Sequence, residues 1–525
     1  MKKVLGLLIL ILSLILSSCG ASYNSADENT TAPPYENNKN PNAVQNNNND
    51  IYGEPEGTEK YLSIEENRNL STNEDSVITF SLKVDTASYR NVVRYIESGN
   101  VPPSDAVRIE EMINYFTYDE EMPRSDGPFS IYSEIGKSPF DASKYLAFVR
   151  IRSRDVDMES LPKSNLTFLI DTSGSMDSYD KLPLLKDSFE LLVETLTEDD
   201  VVSIVTYAGS SKIVLDSVSG GDKRKILSAI DKLKAGGSTA GADGINTAYK
   251  LAEKNFKDGG NNRIILASDG DFNVGISSLD GLERLIKEKS DNGIYLSILG
   301  FGTGNIRDDI METLAKNGNG NYSYIDSVRT AEKVLVDEAK TNMFTIADDV
   351  KAQVEFNPNE VASYRLIGYE NSTMENKDFN DDTKDAGEIG IGTDVVLMFE
   401  IELKSQPGSV GLKYSTTTDE PNDDASVFEG ELFEVRIRYK DPGNSESKLI
   451  LEPVRNDRIL DINTNDFTFA KSVATFGHLL RNSENSGGVD INNIIGWADD
   501  SRGRDEKGYR QELVSILKMY RNIVR

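Results

Sequence analysis

Asp171, Ser173 and Ser175 stand at alternating positions in Asp171-Thr172-Ser173-Gly174-Ser175, directly after the apolar run Leu166 to Ile170. A carboxylate and two hydroxyls leaving a buried strand together offer oxygen donors to a hard divalent cation. Mg²⁺ favours oxygen ligands in near-octahedral array, keeps some of its water and takes few protein carboxylates, so a hydroxyl-dominated set suits it, or Mn²⁺. Such a set leaves a coordination position for an oxygen from another molecule. Two further segments belong with it. Gly236-Gly237-Ser238-Thr239 is a loop between helical stretches, and Ile264-Ile265-Leu266-Ala267-Ser268-Asp269-Gly270 is a second buried strand running into a turn. Strand carboxyl ends in an open α/β sheet line one crevice, so Asp171, Ser173, Ser175, Thr239 and Asp269 make a single constellation. Ser, Gly and Asp also cluster in ordinary turns after strands; three motifs in this order weigh toward the metal site.

In that order the motifs resemble the metal-ion-dependent adhesion site of von Willebrand factor type A (VWA) domains. The resemblance implies that Ser173 and Ser175 bind the metal directly, that Thr239 joins when a ligand is bound, and that Asp171 and Asp269 act mostly through water. With neutral hydroxyls innermost the cation stays electrophilic and takes a Glu or Asp carboxylate from a protein partner. Asp85-Thr86-Ala87-Ser88-Tyr89, the run Val107 to Phe116, Phe476-Gly477-His478-Leu479-Leu480-Arg481 and Gly508-Tyr509-Arg510 further resemble a family of bacterial A-domain lipoproteins. That resemblance spans most of the chain beyond its first sixty or so residues.

Composition removes most hydrolytic chemistry. One His (His478) and one Cys (Cys19) exclude Cys- and His-based zinc sites, a Cys-His pair and any internal disulfide. A Ser-His-Asp triad would depend on His478, which sits in an apolar helical stretch and reads as structural. An aspartic protease needs Asp-Thr-Gly where this chain has Asp171-Thr172-Ser173. Gly300-Phe301-Gly302-Thr303-Gly304 lacks the spacing of a dinucleotide site and reads as a turn. The chain is therefore expected to bind rather than catalyse. A metal-dependent extracytoplasmic enzyme, with Mg²⁺ as Lewis acid or water activator, and a structural envelope protein with a stabilising metal are the alternatives. A net charge of −30 argues against nucleic acid or anionic lipid as the partner of the folded part.

The elements that must position these residues fall into regions. Residues 1–18 read as a secretory signal, and Leu16-Ser17-Ser18-Cys19-Gly20 resembles a bacterial lipobox with Cys19 lipidated. Acyl chains on Cys19 would anchor the protein to a bacterial membrane, facing outside the cytoplasm. Residues 19–60 form an Asn-rich stretch with little to bury, expected to be a disordered tether. Residues 75–160 read as an amino-terminal α+β region, 163–345 as the VWA domain, 346–450 as β-rich and 455–525 as helical. The fold class expected is α/β: a doubly wound, mostly parallel sheet inserted in or flanked by a β-rich domain, with a helical carboxy-terminal region. The acidic run Asp378, Asp381, Asp382, Asp385 and Glu388 is a candidate for a second cation, Ca²⁺, although an EF-hand loop needs Gly where Thr383 stands.

Overall fold

A computed structural model describes residues 59–82, 84–237, 241–270, 279–384, 386–404, 428 and 430–525. The signal, Cys19, nearly all of the expected tether, Thr239 and Asp385 lie outside these residues.

The inserted α/β unit is built on six strands in spatial order Tyr322–Ile325, Tyr295–Phe301, Asn261–Ser268, Ser164–Asp171, Val201–Tyr207 and Ser211–Ser219. All neighbours are parallel except the last pair, where Ser211–Ser219 runs antiparallel along the edge. Strand Ser164–Asp171 is buried at every position, which is why it reads as a continuous apolar run instead of an alternating one. Its side chains serve two cores. Leu166, Phe168 and Ile170 pack with helices Leu182–Thr195 and Lys223–Asp231. Leu169 packs with Gly241–Lys254, Leu279–Asp291 and Asp308–Asn317 on the opposite face. Each such aliphatic side chain stabilises the unit by about 1.5–3 kcal/mol when fully buried.

Strand order reverses at this central strand. The next strand in sequence, Val201–Tyr207, lies on one side of it and Asn261–Ser268 on the other. The crevice of a doubly wound sheet opens at such a reversal, and Asp171 ends the strand there.

Two antiparallel sheets carry the insertion. One runs Leu70–Ser71, Val361–Ile367, Asp394–Leu403, Tyr145–Ser153, Phe129–Lys137; the other runs Thr373–Met374, Val77–Ser81, Thr345–Phe356, Glu431–Lys440, Ser447–Arg455. Phe80 and Val354 of the second sheet share one core with Val149 and Leu397 of the first. Strand alternation sends Leu146, Phe148, Val396 and Met398 to the other face, under helices Ala87–Glu97, Ile109–Asn114, Asn465–Leu480, Ile491–Asp500 and Tyr509–Ile523. The expected fold class is thus the observed one. Strands from both sides of the insertion pair with one another, as an inserted unit requires: Val77–Ser81 with Thr345–Phe356, and Tyr145–Ser153 with Asp394–Leu403.

Buried ions join the insertion to its carrier. Arg108 donates to Asp308 at 2.7 Å and to Glu111 at 2.5 Å, and Arg90 bridges Asp326 at 2.5 Å and Glu512 at 2.7 Å. The entry and exit segments are tied where Lys340 meets Asp155 at 3.0 Å.

Candidate metal centre

Asp171 closes the central strand, Ser268 closes its neighbour and Asp269 follows. Both carboxylates are fully buried. Asp171 Oδ1 accepts the Ser173 backbone N–H at 2.8 Å, and its Oδ2 accepts the Ser268 hydroxyl at 3.1 Å. The first of these bonds is an Asx-type turn that folds the chain back over the strand end. It leaves the Ser173 and Ser175 hydroxyl oxygens 2.9 Å apart. Burial above all pushes the Asp171 carboxyl up to about 6; hydrogen bonds from Ser173 oppose this, and the neighbouring Asp269 charge adds to it. Two buried carboxylates at one strand edge make a place where a cation is stabilised.

The donor set fits a small hard divalent ion. Adjacent oxygens around an octahedral ion with bonds of about 2.0–2.1 Å lie about 2.9 Å from one another, the spacing of the two serine hydroxyls. Two serine hydroxyls with two buried carboxylates behind them make up the described donor set; among the described residues no three His, Cys, Asp or Glu are placed to hold a metal ion. Ser173 and Ser175 would hold Mg²⁺ or Mn²⁺ here, with Asp171 and Asp269 supplying the compensating charge.

Thr239 lies outside the described residues, but the loop leading to it is fixed. Gly237 O accepts the Gly174 N–H at 3.0 Å, and the Gly236 N–H donates to Thr172 O at 2.9 Å. Gly237 has φ of +93°, and a Cβ there would stand 3.3 Å from Ala208 O; only glycine meets both conditions without strain.

Two residues of the site escape sequence reasoning. Lys181 Nζ donates to Asp269 Oδ2 at 2.8 Å and to Asn305 Oδ1 at 3.2 Å, while the Asn305 amide donates to the same Asp269 oxygen at 3.3 Å. Lys181 is buried, and its stem lies against Gly302, where a Cβ would meet Lys181 Cε at 2.3 Å. The Gly-rich stretch read as a turn is also the space that admits this lysine. One signal is available: a Lys stands directly before an apolar helical run, ten residues after Asp171.

The loop bearing Asn305 is braced from the amino-terminal side. Glu59 accepts the Gly304 N–H at 2.9 Å and hydrogen bonds from Arg94 at 2.9 Å and Tyr95 at 2.8 Å. The Lys60 N–H donates to Ile306 O at 3.1 Å.

The acidic run is spent differently from the expectation of a second cation site. Asp382 pairs with Arg438 at 2.9 Å and accepts the Ser447 hydroxyl at 2.5 Å, and Asp381 accepts the Thr383 N–H at 2.9 Å. With Asp378 and Glu388 they form no acidic cluster among the described residues; the fifth member, Asp385, lies outside them. The run closes a turn against Glu431–Lys440. His478 is buried in helix Asn465–Leu480 with its ring 5.0 Å from that of Phe140, in the helical layer and away from the inserted unit.

Known proteins share these parts. Family models described as von Willebrand factor type A domain, von Willebrand factor, and uncharacterized protein YfbK, C-terminal, match residues 165–337, 55–147 and 341–523. Uncharacterized protein YfbK of Escherichia coli (strain K12) is 42% identical over 471 residues, 88% of this chain and 81% of that protein. Uncharacterized protein sll0103 of Synechocystis sp. is 32% identical over 163 residues, 31% of this chain and 38% of that protein. A solved von Willebrand factor type A structure from Catenulispora acidiphila is 16% identical, covering 74% of this chain and 89% of its own, with a TM-score of 0.42.

Proposed function

We propose, for a chain that belongs to the YfbK family of VWA domain proteins, that the site at Asp171 captures an acidic side chain of a protein partner in a metal-dependent way. Domains of this kind serve in general as adhesion or protein-interaction modules. The observation that carries the reading is the pair of hydroxyls from Ser173 and Ser175, 2.9 Å apart, with the Asp171 and Asp269 carboxylates buried behind them. A divalent ion held there supplies an electrophilic position for a carboxylate oxygen. Ser173 and Ser175 orient that position without neutralising it, and Lys181 takes up part of the charge of Asp269. Thr239 is proposed to complete the set when the partner is bound. A general base or nucleophile for catalysis is not recognisable in the sequence, which favours the receptor reading over an enzyme.

Lipidation at Cys19 is part of the proposal, and would hold the receptor on a bacterial membrane outside the cytoplasm. Its support is the sequence Leu16-Ser17-Ser18-Cys19-Gly20. One experiment tests the function: crosslinked pulldown from membranes in Mg²⁺ and in EDTA, with wild-type protein and the Asp171→Ala and Asp269→Ala variants. Partners captured in Mg²⁺ and lost in EDTA and in both variants support the reading. Partners unchanged across all conditions, with calorimetry showing unaltered Mg²⁺ and Mn²⁺ affinity in both variants, would reject it.

A further inference from the structure

We infer that the cavity beside the metal site is a second subsite for the same partner, suited to an acidic polypeptide segment rather than an isolated carboxylate. This inference deepens the function proposed above and rests on it. The cavity, about 560 Å³, is bordered by the edge strand Ser211–Ser219, the helix Lys223–Asp231 and the turn after that helix. Thr172 also lines it. Thr172 stands between Asp171 and Ser173, so the cavity reaches the chain segment that bears the metal-site residues.

Four lysines line the cavity, Lys212, Lys225, Lys232 and Lys234. All four residues are exposed, and among the described residues none of their side chains has a hydrogen-bond or ion-pair partner. Their neighbours differ: Lys223 pairs with Glu194 at 3.0 Å and Lys254 with Asp216 at 2.9 Å. The turn that presents Lys232 and Lys234 is pinned by Lys186, whose Nζ donates to the carbonyls of Asp231 and Leu233 at 2.9 Å each. Buried Leu215 and Leu233 supply an apolar floor, on which the methylene stems of acidic side chains can rest.

Unneutralised like charges repel one another, and the arrangement is relieved when anionic groups enter. On a chain of net charge −30 it is a local field of opposite sign, which steers an acidic partner toward one place. A nucleic-acid strand running beyond the cavity would meet the acidic remainder of the chain. A peptide segment touches only the favourable patch, and it brings a carboxylate for the adjacent metal position as well.

The test uses purified full-length protein and two fluorescent peptides of equal length, an oligoglutamate and a control with one Glu among Gln residues. In Mg²⁺ the oligoglutamate is expected to bind about tenfold more tightly, as a few exposed ion pairs would give, with the advantage shrinking as salt is added. The Lys225→Glu/Lys232→Glu double variant should lose that advantage while binding the control peptide as wild type does. A double variant that keeps the preference overturns the inference and leaves the metal reading standing. Displacement of oligoglutamate by a single-stranded oligonucleotide at lower concentration overturns it too, because the cavity would then accept any polyanion. If neither peptide responds to EDTA, the metal reading fails, and the inference falls with it.

Discussion

Replacing Lys181 by Met removes the ammonium inside the site and keeps the stem that packs against Gly302. The Nζ lies 2.8 Å from Asp269 Oδ2, with side-chain exposures of 9% and 0% for the two residues. At an effective dielectric of about 20 that separation corresponds to a gross attraction of about 6 kcal/mol. Truncating one member of a buried pair costs about 3–5 kcal/mol, much of it the uncompensated charge left behind; Asn305 still donates to Asp269, so the lower end is expected. In EDTA the variant should therefore unfold with a stability about 3 kcal/mol below wild type, read from urea titrations with an unchanged m-value. Mg²⁺ should restore more to the variant than to wild type. Without the ammonium the site attracts a cation more strongly, so its Mg²⁺ affinity should rise at least about tenfold, an extra gain of about 1.4 kcal/mol at equal metal concentration. Capture of a carboxylate should weaken at the same time, because the loaded site carries one positive charge fewer. The reasoning is refuted if the variant loses the same stability in EDTA and in Mg²⁺ with calorimetric affinity unchanged, for Lys181 would then be packing alone.

Gly302→Ala should reproduce part of that phenotype, since the new Cβ displaces the Lys181 stem and φ at 302 is +78°; a loss of about 1–3 kcal/mol in EDTA is expected, and an unperturbed Mg²⁺ affinity would contradict it. Thr239→Ala should leave Mg²⁺ affinity within a few-fold of wild type while reducing binding of a Glu-containing peptide about tenfold or more, measured by anisotropy; equal peptide binding would remove Thr239 from the occupied site. Arg108→Met should lower stability by about 3–5 kcal/mol by stranding Glu111 and Asp308, with denaturant midpoints as readout and an Arg108→Met/Asp308→Asn double variant regaining part of the loss. Burial, with Arg365 and Arg481 nearby, holds the His478 imidazole well below its ordinary value. Its folded form therefore stays neutral while the unfolded chain takes up a proton below about pH 6.5, so stability is complete above that pH and falls on acidification. This is the only His in the chain; an imidazole proton resonance titrating with a midpoint near its ordinary value in folded protein would overturn the assignment.

That Asp171, Ser173, Ser175 and Asp269 meet at one sheet edge is legible because a strand buried on both faces writes itself as an unbroken apolar run, and its polar exit residues follow at fixed spacing. Asp394–Leu403 carries the same kind of apolar run, buried from Val395 to Ile401. Edge strands are not so legible. Ser211–Ser219 and Ser447–Arg455 are mostly exposed or half-buried, with few buried positions and with Lys, Asp and Glu among them, so neither periodicity nor hydropathy separates them from loops. That the α/β unit is inserted is legible, but the partner and register of each carrier strand are not, since a pairing such as Lys351 opposite Ser81 joins residues far apart in sequence through backbone groups common to every residue. Lys181 escapes notice because its partners, Asp269 and Asn305, come from two other loops, and the pairing of Asp382 with Arg438 is hidden for the same reason.

The brace at Glu59 also defines a load path. A force applied to the chain on the amino-terminal side of Glu59 first meets its hydrogen bonds to Arg94, Tyr95 and the Gly304 N–H, then the short parallel contact between Lys60 and Arg307. Gly304 precedes Asn305, and Asn305 touches Asp269. Tension enters the fold at the rim of the metal centre, with the cores of the carrier sheets lying behind it. Pulling there would load the loop that carries Asn305 before it reached any strand of the central sheet.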